Sequence, residues 1–182
     1  MKIAICGGPL SGKSLLAKLL DIPQRQTDDW WKAGKTFNEN IIATRDWLGL
    51  EETTCAVSGV TVVYALRLWM AENPEGKPCD VAVFLHRHTE DLSPRQRGMT
   101  IGMTRAWDKT KWDLTLRGVR IVEANTMSKE AWFRHLEDID AEHPELTEEE
   151  AGDMAQERLA DEWAAQADQL KDELKYEVPE DD

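Results

Sequence analysis

Sulfur and histidine are scarce in this chain. Three cysteines, Cys6, Cys55 and Cys79, are spread over 182 residues. An odd, widely spaced set supports neither a disulfide framework nor a metal cluster, and buried free thiols in strands are expected instead. The four histidines have no metal-like neighbours, and we assign them no catalytic part. Long apolar runs are missing as well. The most apolar segment, "AVSGVTVVYAL", is stopped by Arg67, well short of the roughly 18–20 residues a membrane span needs. The first residues hold one lysine before Gly7, which is unlike a signal peptide. A cytoplasmic protein with no membrane partner is expected. No internal repeat is visible.

Acid is what the chain has in excess, and it is unevenly placed. The formal net charge is −13, yet residues 137–182 carry 19 Asp and Glu against 3 Lys and Arg, a net of −16. Residues 1–136 carry 16 acids and 19 bases, a net of +3. A mildly basic body, 1–136, thus precedes an acidic tail, 137–182. Such asymmetry can mark an interaction segment.

The body reads as strands alternating with helices. "KIAIC" (2–6), "TCAVSGV" (54–60), "CDVAVFLHR" (79–87) and "GVRIVEA" (118–124) are short apolar runs of strand composition. Between them, helices are expected at 13–21, ended by Ile22-Pro23, at 37–49 with Ile41, Ile42, Trp47 and Leu48, at 61–72, and at 129–140. "RQTDDWW" reads as a short strand at best, and the polar, basic stretch 88–112 as a loop plus helices. This order predicts an α/β fold, a central parallel sheet with helices on both faces. In the tail, Thr147 and Glu150 form a capping box, with Leu146 and Ala151 spaced as a hydrophobic staple. Ala155, Leu159, Trp163, Ala167, Leu170 and Leu174 then recur every three or four residues. One long amphipathic helix ending near Tyr176 follows from that period.

The most specific signal is "GGPLSGKS". Gly7, Gly12, Lys13 and Ser14 match G-x-x-x-x-G-K-[ST], between a strand and a helix. The glycines let successive N–H groups point into one concavity, an anion nest, at the start of a helix. In that arrangement Lys13 reaches the β- and γ-phosphates of a nucleotide and the Ser14 hydroxyl ligates Mg²⁺. ATP and Mg²⁺ are the expected cofactors.

With "TDDWW", "SGVTVVYALR" and "SPRQRGMTIGMTRAW", this motif makes residues 1–136 resemble the P-loop nucleoside and nucleotide kinases, thymidylate kinases among them. The layout is also similar to small phage-encoded kinases that phosphorylate 5-hydroxymethyluracil in DNA. The resemblance implies a P-loop NTPase three-layer sandwich, with Gly7, Gly8, Pro9, Leu10, Ser11, Gly12, Lys13, Ser14 and Leu15 around the nucleotide. It implies that Asp28 or Asp29 acts as base or metal contact, and that 88–112 is a lid. Arg87, Arg95, Arg97 and Arg105 are placed like the arginines of such a lid, which would bring Arg95 and Arg97 to the transferred phosphoryl group and Arg105 to the nucleotide, while Arg67 would hold the acceptor. Trp30 and Trp31 offer a stacking surface for a base.

Each residue also has a plainer reading. Asp28 and Asp29 are good helix caps, the lid arginines could form a solvated basic helix, and Arg67 could be a surface charge. At least one of the tryptophans is expected in the core. The chain departs from the kinase pattern in lacking an apolar strand that ends in Asp, since "CAVSG" ends in Ser58-Gly59 and "DVAVFLH" in His86. No "NKxD"-type guanine motif occurs, which argues against a GTPase switch. Three classes remain: a kinase acting on a nucleotide or a base in DNA, a nucleotide-binding regulatory module, and an assembly protein stabilised by ATP. The tail is expected to mask the basic body, to pair two chains through Leu159, Trp163 and Leu170, or to pack along the body.

Overall fold

The computed structural model describes residues 1–50, 54–87, 92–126 and 129–175. Five strands form one sheet: β1 (Lys2–Gly7), β2 (Gln24–Gln26), β3 (Cys55–Ser58), β4 (Val81–Arg87) and β5 (Arg120–Thr126). Their order is β2-β3-β1-β4-β5, and every pairing is parallel. The connecting helices are α1 (Lys13–Leu19), α2 (Thr27–Lys32), α3 (Phe37–Leu48), α4 (Val62–Glu72) and α5 (Pro94–Leu116), followed by α6 (Lys129–Glu142) and α7 (Glu148–Lys175).

Strands buried on both faces read as continuous apolar runs, and alternate side chains here feed two cores. Ala4, Cys6, Val57, Ala82 and Phe84 pack toward α4 and α5, with Leu66, Trp107 and Leu114. Ile3, Ile5, Ala56, Val83 and Leu85 pack toward α1 and α7, with Leu16, Leu20 and Trp163. The α/β architecture expected from the strand–helix alternation is therefore present. All three cysteines are buried. No helix among the described residues is long and apolar enough to cross a membrane.

Two expectations change. "RQTDDWW" splits between β2 and α2, so the aspartates stand in the first turn of a helix capped by Gln26. Acidic side chains are favourable there because the first N–H groups carry the positive end of the helix dipole. They are neither strand residues nor the cap itself.

The stretch expected as a loop plus helices is, from Pro94 on, a single helix of 23 residues. A capping box starts it, with the Gln96 N–H donating to Ser93 Oγ and the Ser93 N–H to Gln96 Oε1, and Pro94 suits the first turn. Its inward face is Thr100, Met103, Trp107, Thr110 and Leu114, and Trp107 stacks on Phe84 at 5.0 Å. The threonine hydroxyls donate to the carbonyl one turn back, Thr100 to Gln96 at 3.0 Å and Thr110 to Ala106 at 2.6 Å. Satisfied locally, they are buried without an unpaired polar atom. Residues 88–91, the start of the expected lid, lie outside the described residues.

The acidic tail packs along the body, one of the three arrangements considered for it. α6, expected at 129–140, runs from Lys129 to Glu142, and Leu146 and Ala151 share a small core with Ile139 and Ala155. Arg158–Glu142 and Arg134–Glu162 ion pairs tie α6 to α7. Leu159, Trp163 and Ala167 are buried, Trp163 and Ala167 in the core beneath α1. The stripe considered for pairing chains is thus occupied by the chain's own body. The side chain of Leu174 and the residues after Lys175 lie outside the described residues.

Candidate functional site

β1 and β4 are neighbours, but their chains leave in opposite directions. After β1 the chain returns through α1 to β2 at one edge, and after β4 through α5 to β5 at the other. In an open parallel sheet such a divergence opens a crevice at the carboxyl ends of the strands. Here it forms part of a cleft of about 1150 Å³.

One side of the cleft is the glycine-rich loop. Pro9, Leu10, Ser11, Gly12, Lys13, Ser14 and Leu15 all line it, while Gly7 ends β1 and Gly8 is buried behind the loop. Gly12 adopts a left-handed φ of 78°, and a β-carbon there would stand 2.1 Å from Nε1 of Trp163. The last helix therefore braces the loop from behind. Lys13 is only 8% exposed, and its ammonium donates to the Gly8 carbonyl and to Ser11 Oγ. Burial pushes its pKa down to about 8; nearby Asp28 opposes that shift and Arg87 reinforces it. An ammonium held this way is bonded to neutral oxygens, and a polyanion in the cleft would add to the charge that Asp28 supplies.

The opposite side is built on α2 and the start of α3. Asp28 and Trp31 are three residues apart, share one helix face, and both line the cleft. Asp29 and Trp30 turn away from it. Asp29 is exposed, and Trp30 lies under the Arg25 guanidinium at 6.0 Å. Phe37 lies 6.0 Å from Trp31 and 5.7 Å from Tyr64, ring to ring.

Buried polar groups hold this wall in place. Asn40 Nδ2 donates to the Thr27 carbonyl at 2.7 Å, and Thr61 Oγ1 donates to Asn40 Oδ1 at 2.7 Å. Thr44 Oγ1 donates to the Asn40 carbonyl at 2.8 Å. Thr27 in turn presses on Gly59, where a β-carbon would fall 1.8 Å from its hydroxyl.

Of the expected arginines, Arg95, in the first turn of α5, and Arg87, at the end of β4, line the cleft. Arg97 and Arg105 lie farther along α5 and Arg67 on α4, all exposed and none in the wall. Sequence reasoning missed Gln26, Phe37, Ser58, Gly59, Val60, Ser93, Gln96 and Met99, which complete it. Two signals could have found several of these. Ser58-Gly59 ends a strand beside β1, and Ser93-Pro94-Arg95-Gln96 is a helix start.

No group of three or more metal-ligating His, Cys, Asp or Glu residues gathers among the described residues. The Ser14 hydroxyl and the Asp28 carboxylate face the same cleft. Two hard oxygen donors suit a Mg²⁺ ion that keeps water and phosphate as its other ligands. No family model matches the chain, and neither a curated protein nor a solved structure matches it.

Proposed function

We propose that this cleft binds ATP and transfers its γ-phosphoryl group to a nucleotide-type acceptor, either a (deoxy)nucleotide or a hydroxymethylated base such as 5-hydroxymethyluracil in DNA. The chain would then be a P-loop kinase. One observation carries this reading: the glycine-rich loop with Lys13 and Ser14 shares a single cleft with a carboxylate and an aromatic wall.

The loop N–H groups and Lys13 hold the phosphate chain. Ser14 and Asp28 would hold Mg²⁺, which supplies charge neutralisation to the phosphates when bound. The acceptor stacks on Trp31, with Phe37 fixing that ring from the side. Its hydroxyl gives its proton to Asp28, and the oxygen lone pair forms the new bond to the γ-phosphorus. The bond from phosphorus to the β–γ bridging oxygen breaks, and its electron pair leaves with ADP. Among the described residues, the acceptor side of the wall holds one carboxylate and no arginine, while the cations Lys13, Arg87 and Arg95 stand on the loop and β4–α5 side. That distribution suits a neutral hydroxyl better than a monophosphate, which would need its own clamp.

The test is to incubate the protein with γ-labelled ATP and a panel of deoxynucleoside monophosphates, plain oligonucleotides and hydroxymethylated DNA. Label on an acceptor is the expected result. Bound ATP that exchanges slowly without product would favour a regulatory module, and no bound ATP would remove the reading.

A further inference from the structure

Trp163 stands on α7, and its indole lies directly behind the glycine-rich loop. The residue is only 2% exposed, and a β-carbon on Gly12 would fall 2.1 Å from its Nε1 and 2.7 Å from its Cε2. The donor edge of the ring therefore meets the backbone of the loop with no side chain between them. Nε1 is buried and, among the described residues, has no hydrogen-bond partner. Buried N–H groups are nearly always paired, and leaving one unpaired is costly.

The helix that carries this donor is fixed in place. Leu159, Trp163 and Ala167 are buried along one stripe, and Glu162 accepts from Arg134 Nη2 and His135 Nε2 of α6, each at 2.8 Å. The indole N–H is thus held at the loop and kept from water. On the loop, the Gly8 carbonyl accepts from Lys13 and the Leu10 carbonyl from Arg87. The Gly12 carbonyl accepts from the Leu15 and Leu16 N–H groups, both at 3.1 Å, in the first turn of α1. The peptide joining Ser11 to Gly12 stands next to the indole. In a trans peptide the N–H and C=O point opposite ways. When the Gly12 N–H turns inward to a phosphate oxygen, as an anion nest requires, the Ser11 carbonyl turns outward, to the side on which Trp163 stands.

We infer that the Trp163 indole N–H donates to the outward Ser11 carbonyl when the loop closes on phosphate, which makes Trp163 a positioning residue and the acidic C-terminal helix a part of the nucleotide site. The inference rests on the nucleotide reading above. It goes beyond that reading by giving α7 a share in binding: the phosphate-bound loop gains a bond that the empty loop lacks. The coupling is reciprocal, so bound nucleotide also holds α7 more firmly against the body.

The competing role is a brace that acts by packing alone. Titration of the full-length parent with ATP and Mg²⁺, followed by NMR of isotope-labelled tryptophan, separates the two. The Trp163 indole N–H resonance, assigned through its proximity to Gly12, should move downfield on binding as the donor gains an acceptor. Trp163→Phe keeps a ring against Gly12 and removes the donor. Calorimetry should show its ATP binding weakened by about threefold to tenfold, the worth of one net hydrogen bond. A resonance that does not move downfield, or a variant that binds ATP like the parent, would overturn the inference and leave the nucleotide reading intact. The parent's resonance decides alone if the variant fails to fold. A parent protein that binds no ATP would overturn both.

Discussion

The two sides of the cleft are built on opposite plans. The loop side is buried and braced: Lys13 lies beneath the chain, Trp163 backs Gly12, and Arg87 ties the crest to β4. The acceptor side presents an exposed carboxylate and an exposed Trp31 on a helix of six residues, positioned by a buried Asn40–Thr61–Thr27 network. The part that would hold a constant ligand is over-determined. The part that would choose a partner is a thin surface on a rigid support.

The largest effect expected from this contrast lies at Asp28. Its replacement by Asn should lower phosphoryl transfer by about 10²–10⁴-fold, the range for a lost general base. Asp29→Asn should leave the rate within about threefold, since that side chain turns from the cleft. Initial rates with labelled ATP check both, and equal losses would erase the distinction between neighbouring positions.

Next comes a stability change on the loop side. Lys13 has a folded-state pKa of about 8 against an ordinary 10.5, so between those values the unfolded chain binds more protons than the folded one. Stability therefore rises with pH across that window, and below about pH 8 the buried ammonium costs on the order of 3 kcal/mol. Lys13→Met should stabilise the nucleotide-free protein at pH 7 by an amount of that order. It should also lose the parent's extra gain between pH 8 and 10.5. Urea unfolding at several pH values measures both. A destabilised variant would contradict the burial argument.

The smallest effect sharpens the acceptor side. Trp31→Ala should raise the acceptor KM by an amount corresponding to about 1–3 kcal/mol of lost stacking. Trp30→Ala should leave it nearly unchanged. Steady-state kinetics with the acceptor varied would show it, and a larger effect at Trp30 would mean that the base sits elsewhere.

The same contrast explains what could be read in advance. Glycines, a lysine and a serine at fixed offsets describe the loop because its geometry is local. Apolar runs such as "KIAIC" and "DVAVFLH" describe the strands because both faces are buried. α5 stayed illegible because Thr100 and Thr110 look polar in sequence, yet bond to their own helix and pack inward. α2 was misread because six residues carry too little period to outweigh β-favouring tryptophans. Trp163 against Gly12 joins positions 151 residues apart, and a periodic stripe shows that a helix packs without showing against what. Arg87 groups with the lid arginines in the sequence, but only the order of the strands puts it beside the loop.

The central claim is that the loop from Gly7 to Ser14 closes around a triphosphate with Lys13 as its counter-ion. Calorimetric titration with ATP and Mg²⁺ at pH 7 and pH 9.5 tests it directly. The parent should bind at pH 7, and its affinity should fall by up to about tenfold per pH unit above 8 as Lys13 loses its proton. Lys13→Met should give no heat at either pH. Absence of binding by the parent, or equal binding by the variant, would contradict the claim.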